Sequence, residues 1–168
     1  YGVARSTSSV CTVELDERRL KEKPGKARVN IKNRYIKEFS SRNIIAFTGG
    51  TSESDTMLVF TAHYDHLGGM GCKTFFPGAN DNASGVSMVL NLARHYAKNP
   101  ARYKCVFIFF AGEEAGLLGS SFFVKNPIID LRKIKFLINL DLLGTGEDGI
   151  MVVNGAVFEN QYNLLVNI

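Results

Sequence analysis

Seven consecutive apolar residues, Cys105 to Ala111, constrain this chain more than any other stretch. Within them the segment Lys104–Phe110 is rich in Val, Ile and Phe. An unbroken apolar run of that length reads as a strand buried on both faces, which requires a sheet with a covering layer on each side. It is far too short to span a bilayer. The remainder of the chain supplies partners for it. Asn43–Thr48 reads as a strand closed by Gly49-Gly50, and Met57–Ala62 as an apolar strand after a polar turn. A Gly-rich loop runs from Gly68 to Asn80. Asn82–Lys98 carries Val86, Val89, Leu90, Ala93 and Ala97 at helical spacing and is followed by Pro100, so it reads as a helix. Leu117–Lys125 reads as a second helix, Lys135–Leu140 as another buried strand, Gly149–Val153 as a further strand, and Phe158–Val166 as the start of a helix. Strands alternating with helices predict an α/β layered fold with a largely parallel sheet.

Composition agrees with a folded domain rather than a disordered or disulfide-dense one: 45% of the 168 residues are hydrophobic and 21% charged. The net charge of +4 is uneven. Residues 1–43 hold 11 Lys/Arg against 5 Asp/Glu, whereas residues 44–168 hold 9 against 11. The basic segment contains no helix-turn-helix, zinc-finger or RNA-binding pattern, so a solvated basic surface is expected there and no nucleic-acid partner. Short alternating stretches at residues 10–15 and 29–31 suggest strands of an appendage or of a preceding domain. The division is therefore a basic segment, 1–42, and a catalytic-type domain, 43–168. Cys11, Cys72 and Cys105 lack metal-type spacing. Cys105 reads as a buried small hydrophobe, and a Cys11–Cys72 disulfide is conceivable without being required.

In an open α/β sheet, ligands bind beyond the carboxyl ends of the strands. Five of the eleven acidic residues after position 43 fall at such ends: Asp65, Asp81, Glu113, Glu114 and Asp141. Each alone has a plain explanation. Asp81 would serve as a helix N-cap or first-turn acid, His63 as a satisfied core histidine, and Glu113-Glu114 as a solvated turn. Together they repel one another and lose hydration, so a cation must compensate them. Lys73, in the Gly-rich loop, is the nearest basic residue in sequence. A divalent metal is the economical compensation. Imidazole plus carboxylates suits zinc, and acids left over beyond the ligands suit a catalytic site. With Asp81 able to bridge, two metals are expected.

These residues also resemble a known family. His63-x-Asp65, the stretch Gly78 to Gly85 (GANDNASG), the stretch Phe110 to Ser120 (FAGEEAGLLGS) and Asn139-Leu140-Asp141 are similar to the di-zinc bacterial leucyl-aminopeptidase family, relatives of glutamate carboxypeptidases and glutaminyl cyclases. The resemblance implies a three-layer α/β/α fold with a mixed, mostly parallel sheet. It implies zinc as cofactor, with His63 and Asp141 on one ion, Glu114 on the other and Asp81 between them. Asp65 would hold the far nitrogen of His63. Glu113 would take a proton from the attacking water and return it to the leaving amine. A cis peptide is implied at Asp81–Asn82. His66 would be a residue of the site wall, and His95 a surface residue. The implied activity is release of N-terminal amino acids from peptides. A carboxypeptidase, a glutaminyl cyclase and a non-catalytic binding domain are the competing readings on the same fold. The implied location is secreted or periplasmic, although no signal peptide is visible.

One departure stands out. The family pattern calls for a further histidine after the Asp141 motif, and this chain has only His63, His66 and His95. A fragment incomplete at its C-terminal end is therefore expected, holding at most one zinc firmly and turning over little on its own.

Overall fold

The computed structural model describes residues 35–71, 73–147 and 149–167, together with residues 18, 25, 26 and 28–30. The expected strand at 10–15 and the Cys11–Cys72 pair lie outside these residues, while Val29 and Asn30 have irregular backbone. Six strands are described: β1 (Ile44–Thr48), β2 (Met57–His63), β3 (Gly68–Met70), β4 (Thr74–Phe76), β5 (Lys104–Phe110) and β6 (Ile134–Asn139). Three α-helices accompany them: α1 (Gly85–Lys98), α2 (Leu118–Lys125) and α3 (Glu159–Val166).

The main sheet has the order β1-β5-β2-β6. β5 and β6 both run parallel to β2, and β1 runs antiparallel to β5, so the sheet is mixed and mostly parallel. Its centre is the apolar run of β5. Because side chains alternate across a strand, Cys105, Phe107 and Phe109 join Phe60, Ala62 and Val89 of α1 on one face. Val106 and Ile108 join Met57, Val59 and Phe123 of α2 on the other. Helices thus cover both faces, which is why β5 tolerates no polar residue along its buried length. Fully burying each of Val59, Val89, Phe107 and Ile108 contributes roughly 1.5–3 kcal/mol. Cys105 is buried and free, as its apolar setting predicts.

Four elements differ from the sequence reading. The Gly-rich loop contains a small antiparallel hairpin, β3 with β4. α1 begins at Gly85 instead of Asn82, because the Asn82 side chain accepts the Gly85 N–H and stops the helix there. β6 is a strand but not a doubly buried one. Among the described residues it pairs only with β2, at the sheet edge, and Leu137 and Ile138 are exposed. Gly149–Val153 is not a strand, and among the described residues nothing pairs with it; Ile150, Met151 and Val153 stand in solvent. Apolar β-formers make a strand only where a neighbour supplies the ladder.

Candidate metal centre

The parallel register brings the carboxyl ends of three strands level. His63 of β2 stands opposite Phe110 of β5, and Thr61 opposite Asn139 of β6. Pairing continues past the strand ends, with Tyr64 N–H donating to the Phe110 carbonyl and Leu140 N–H to that of Thr61. The segments carrying Asp65, Glu113-Glu114 and Asp141 therefore leave the sheet side by side.

Asp81 arrives from the fourth direction, on the irregular turn Ala79–Ser84 that precedes α1. Asp81 and Asn82 leave helical geometry there, and the peptide between them is cis, as the resemblance implied. Asp81 is accordingly not a first-turn helix acid. Buried Asn82 spans the site's two halves: its Nδ2 donates to the Leu140 carbonyl and its Oδ1 accepts from Gly85. Ser84 Oγ accepts from Leu143 N–H, and Asn80 Oδ1 from Gly144 N–H. These bonds clamp the loop after Asp141 onto the turn holding Asp81. A Cβ on Gly85 would overlap both Asn82 and the Leu140 carbonyl, so the close approach needs glycine.

Within this frame His63 is 4% exposed, and its Nε2 lies 3.1 Å from Asp81 Oδ1 and 3.4 Å from Asp141 Oδ1. Its Nδ1 meets the Asp65 backbone carbonyl at 3.0 Å, whereas the Asp65 carboxylate stands at 3.8 Å. A carbonyl only accepts, so Nδ1 carries a proton, and Nε2 is the nitrogen that can offer a lone pair. A lone pair facing two carboxylate oxygens is repulsive without a positive charge between them. Tetrahedral zinc with N and O ligands about 2.1 Å away places its donors about 3.4 Å apart. Separations of 3.1 and 3.4 Å lie near that figure, so these residues fit the metal.

The Asp65 carboxylate takes another task. Its Oδ1 accepts the Glu113 N–H at 3.0 Å and its Oδ2 the Glu114 N–H at 3.1 Å. It thereby fixes the turn that carries both glutamates, and holds His63 through its carbonyl and not its carboxylate. Asn43 braces the same turn from β1's edge, accepting Ala111 N–H and donating to the Gly119 carbonyl. Burial lifts the Glu113 carboxyl above its ordinary pKa; the charge of His63 opposes this, while Glu114, Asp141 and Asp65 add to it.

A second cluster adjoins the first. His66 Nδ1 lies 2.7 Å from Glu114 Oε1 and 3.9 Å from Asp81 Oδ2. Asp81 thus turns one oxygen toward each histidine. The roles of Asn43, Asn82 and Asn80 did not emerge from sequence, which read Asn43 as the start of a strand, Asn82 as the start of a helix and Asn80 as the end of the Gly-rich loop. His95, by contrast, is exposed on α1, as expected.

Comparison with known proteins follows the same residues. The chain is 39% identical over 108 residues to aminopeptidase YwaD of Bacillus subtilis, covering 63% of this chain and 22% of that one. The solved structure of BSAP, a zinc aminopeptidase from Bacillus subtilis, superposes with TM-score 0.53 at 35% identity, over 63% of this chain and 25% of that chain. A Bacteroides thetaiotaomicron glutaminyl cyclase bound to N-acetylhistamine gives 0.55 at 27% identity, over 72% and 48% respectively. The chain thus spans less than half the length of each. The sequence model of peptidase family M28 matches residues 43–165, an interval that takes in the whole sheet and every donor at its carboxyl edge. The chain belongs to peptidase family M28.

Proposed function

We propose that this chain is the metal-binding core of a zinc exopeptidase that removes N-terminal amino acids from peptides. The observation that carries the reading is the convergence of His63 Nε2 with Asp81 and Asp141 at zinc-ligand spacing, beside Glu113. His63, Asp81 and Asp141 would hold one ion, and Asp81 with Glu114 a second. Bound zinc supplies Lewis acidity toward a carbonyl and toward water. The protein's own part is positional and basic. Asp65, through the Glu113 and Glu114 N–H groups, holds both glutamates at the strand edge. The Glu113 carboxylate accepts a proton from the attacking water and returns it to the leaving amine, a task suited to a carboxyl raised by burial.

Glu113→Ala tests this assignment. The zinc content should be unchanged while hydrolysis of an aminoacyl-anilide by the zinc-loaded protein falls about 10²–10⁴-fold. Undiminished turnover in that variant refutes the role of Glu113. The glutaminyl-cyclase reading is favoured by one solved neighbour. Cyclisation of a glutaminyl peptide, with no release of free amino acid from the anilide, would select it instead.

A further inference from the structure

We infer that Asn43 is a positioning residue for Glu113, its side-chain amide closing the base of the turn that carries the glutamate. The inference rests on the role of Glu113 proposed above and adds to it a residue outside the acidic cluster. β1 runs antiparallel to β5, so it starts where β5 ends: Ile44 stands opposite Phe109, and Asn43 comes just before the ladder. There its side chain takes over the pairing that a longer β1 would have made. Oδ1 accepts the Ala111 N–H at 3.1 Å, and Nδ2 donates to the Gly119 carbonyl at 2.8 Å. The Gly119 N–H donates in turn to the Ala111 carbonyl at 2.9 Å. These three bonds form a closed ring at the two ends of residues 112–118, and Ala111 and Gly119 are both buried. A primary amide accepts on one atom and donates from the other, whereas a carboxylate lacks the donor.

The turn needs such a hold from outside. Gly112, Gly116 and Leu117 have φ of +65°, +92° and +59°. Leucine disfavours that left-handed conformation, so the local backbone does not select this path unaided. Two side chains fix it: Asp65 at the Glu113 and Glu114 N–H groups, and Asn43 at the base. Asn43 is itself tied to the strand ends. The Tyr64 hydroxyl donates to the Arg42 carbonyl at 2.7 Å and accepts from the Ser41 hydroxyl at 3.1 Å, while the Tyr64 N–H donates to the Phe110 carbonyl. The residue after His63 and the residue before Asn43 are thereby one bonded unit. A group that transfers a proton must stay within hydrogen-bond reach of its water, and a displacement of about 1 Å costs about 10²-fold in rate. Holding the base of the turn therefore acts on the reaction through Glu113, with no contact to the reacting atoms.

Amide hydrogen exchange followed by NMR tests the inference, with Asn43→Ala set against Val89→Ala, a core truncation on α1 that lowers stability away from the turn. The amides read are those of Glu113 and Glu114, which Asn43 does not touch. In Asn43→Ala they should exchange about tenfold faster, the effect of losing one buried hydrogen bond. In Val89→Ala only the amides at the centre of β5 should speed up. Glu113 and Glu114 amides that behave alike in the two variants overturn the inference, because Asn43 would then support the fold alone. On the zinc-loaded chain, Asn43→Ala should lower kcat for an aminoacyl-anilide about 10–100-fold with KM within about twofold. Asn43→Asp, which keeps the acceptor and lacks the donor, should fall between Asn43→Ala and wild type, and it decides by the same exchange comparison if Asn43→Ala does not fold. Undiminished turnover in Glu113→Ala refutes the base and not the hold on the turn, which the exchange rates judge separately.

Discussion

Each oxygen of Asp65 accepts one backbone N–H, and both donors belong to glutamates of the metal centre. Asp65→Ala strands two partly buried N–H groups, so it should lower unfolding free energy by about 3 kcal/mol or more, since hydrogen bonds to charged groups are worth about 1.5–3 kcal/mol each. Urea unfolding measures the loss. The same variant should leave His63 held, because the Nδ1 bond goes to the Asp65 backbone carbonyl. What sequence made legible at this scale was charge at strand ends. Asp65, Glu113, Glu114 and Asp141 were singled out because acids next to an apolar strand are conspicuous, and Asp81 with them although it stands on the turn before α1. The partner of each atom was not legible. Whether Asp65 reaches His63 by carbonyl or carboxylate depends on a rotation of the chain after β2 that residue order does not encode. His66 shows the same limit, since its approach to Glu114 comes from the path of that turn.

At the scale of elements, the turn between β5 and α2 is the tightest joint near the site. Gly119 lies so close to Ala111 that an added Cβ would overlap the Ala111 carbonyl oxygen and the Asn43 side chain. Gly119→Ala must push α2 from the end of β5 and should cost about 3 kcal/mol, the upper part of the usual overpacking range. A lowered midpoint in thermal unfolding checks it, and retention of full stability would show that the joint has slack. The order of elements along residues 43–140 was readable because β2 and β5 are apolar on both faces and α1 carries its helical period. The position of β6 was not. An apolar strand looks alike at the centre or edge of a sheet, and only the pairing order, β2 on one side of β6 with nothing described on the other, separates the cases. Glycines hid the β3–β4 hairpin, since the residues that permit its turn also dilute the alternation of its strands.

For the molecule as a whole, ligand binding and folding are linked. An ion that binds the folded chain at one hundred times its Kd adds about 2.7 kcal/mol of stability. Adding zinc should therefore raise the melting temperature by roughly 5–10 °C, and a chelator should reverse the change. Calorimetry with and without metal measures it, and an unmoved melting temperature would count against any firmly held ion. The exposed Leu137 and Ile138 on β6 are a separate whole-molecule property. Their exposure follows from β6 having one described neighbour.

The clamp formed by Asn82 carries a consequence for how the molecule assembles. It joins positions 58 residues apart, and the candidate donors come from residues 63, 66, 81, 114 and 141. Loop closure over such separations is unfavourable until the intervening strands have paired. No local subset of the chain can preform the centre, because β6 must dock on β2 before Asp141 stands beside His63. Metal capture at His63, Asp81 and Asp141 would thus report completion of the sheet, and a chain caught with β6 undocked would lack the Asp141 carboxylate there.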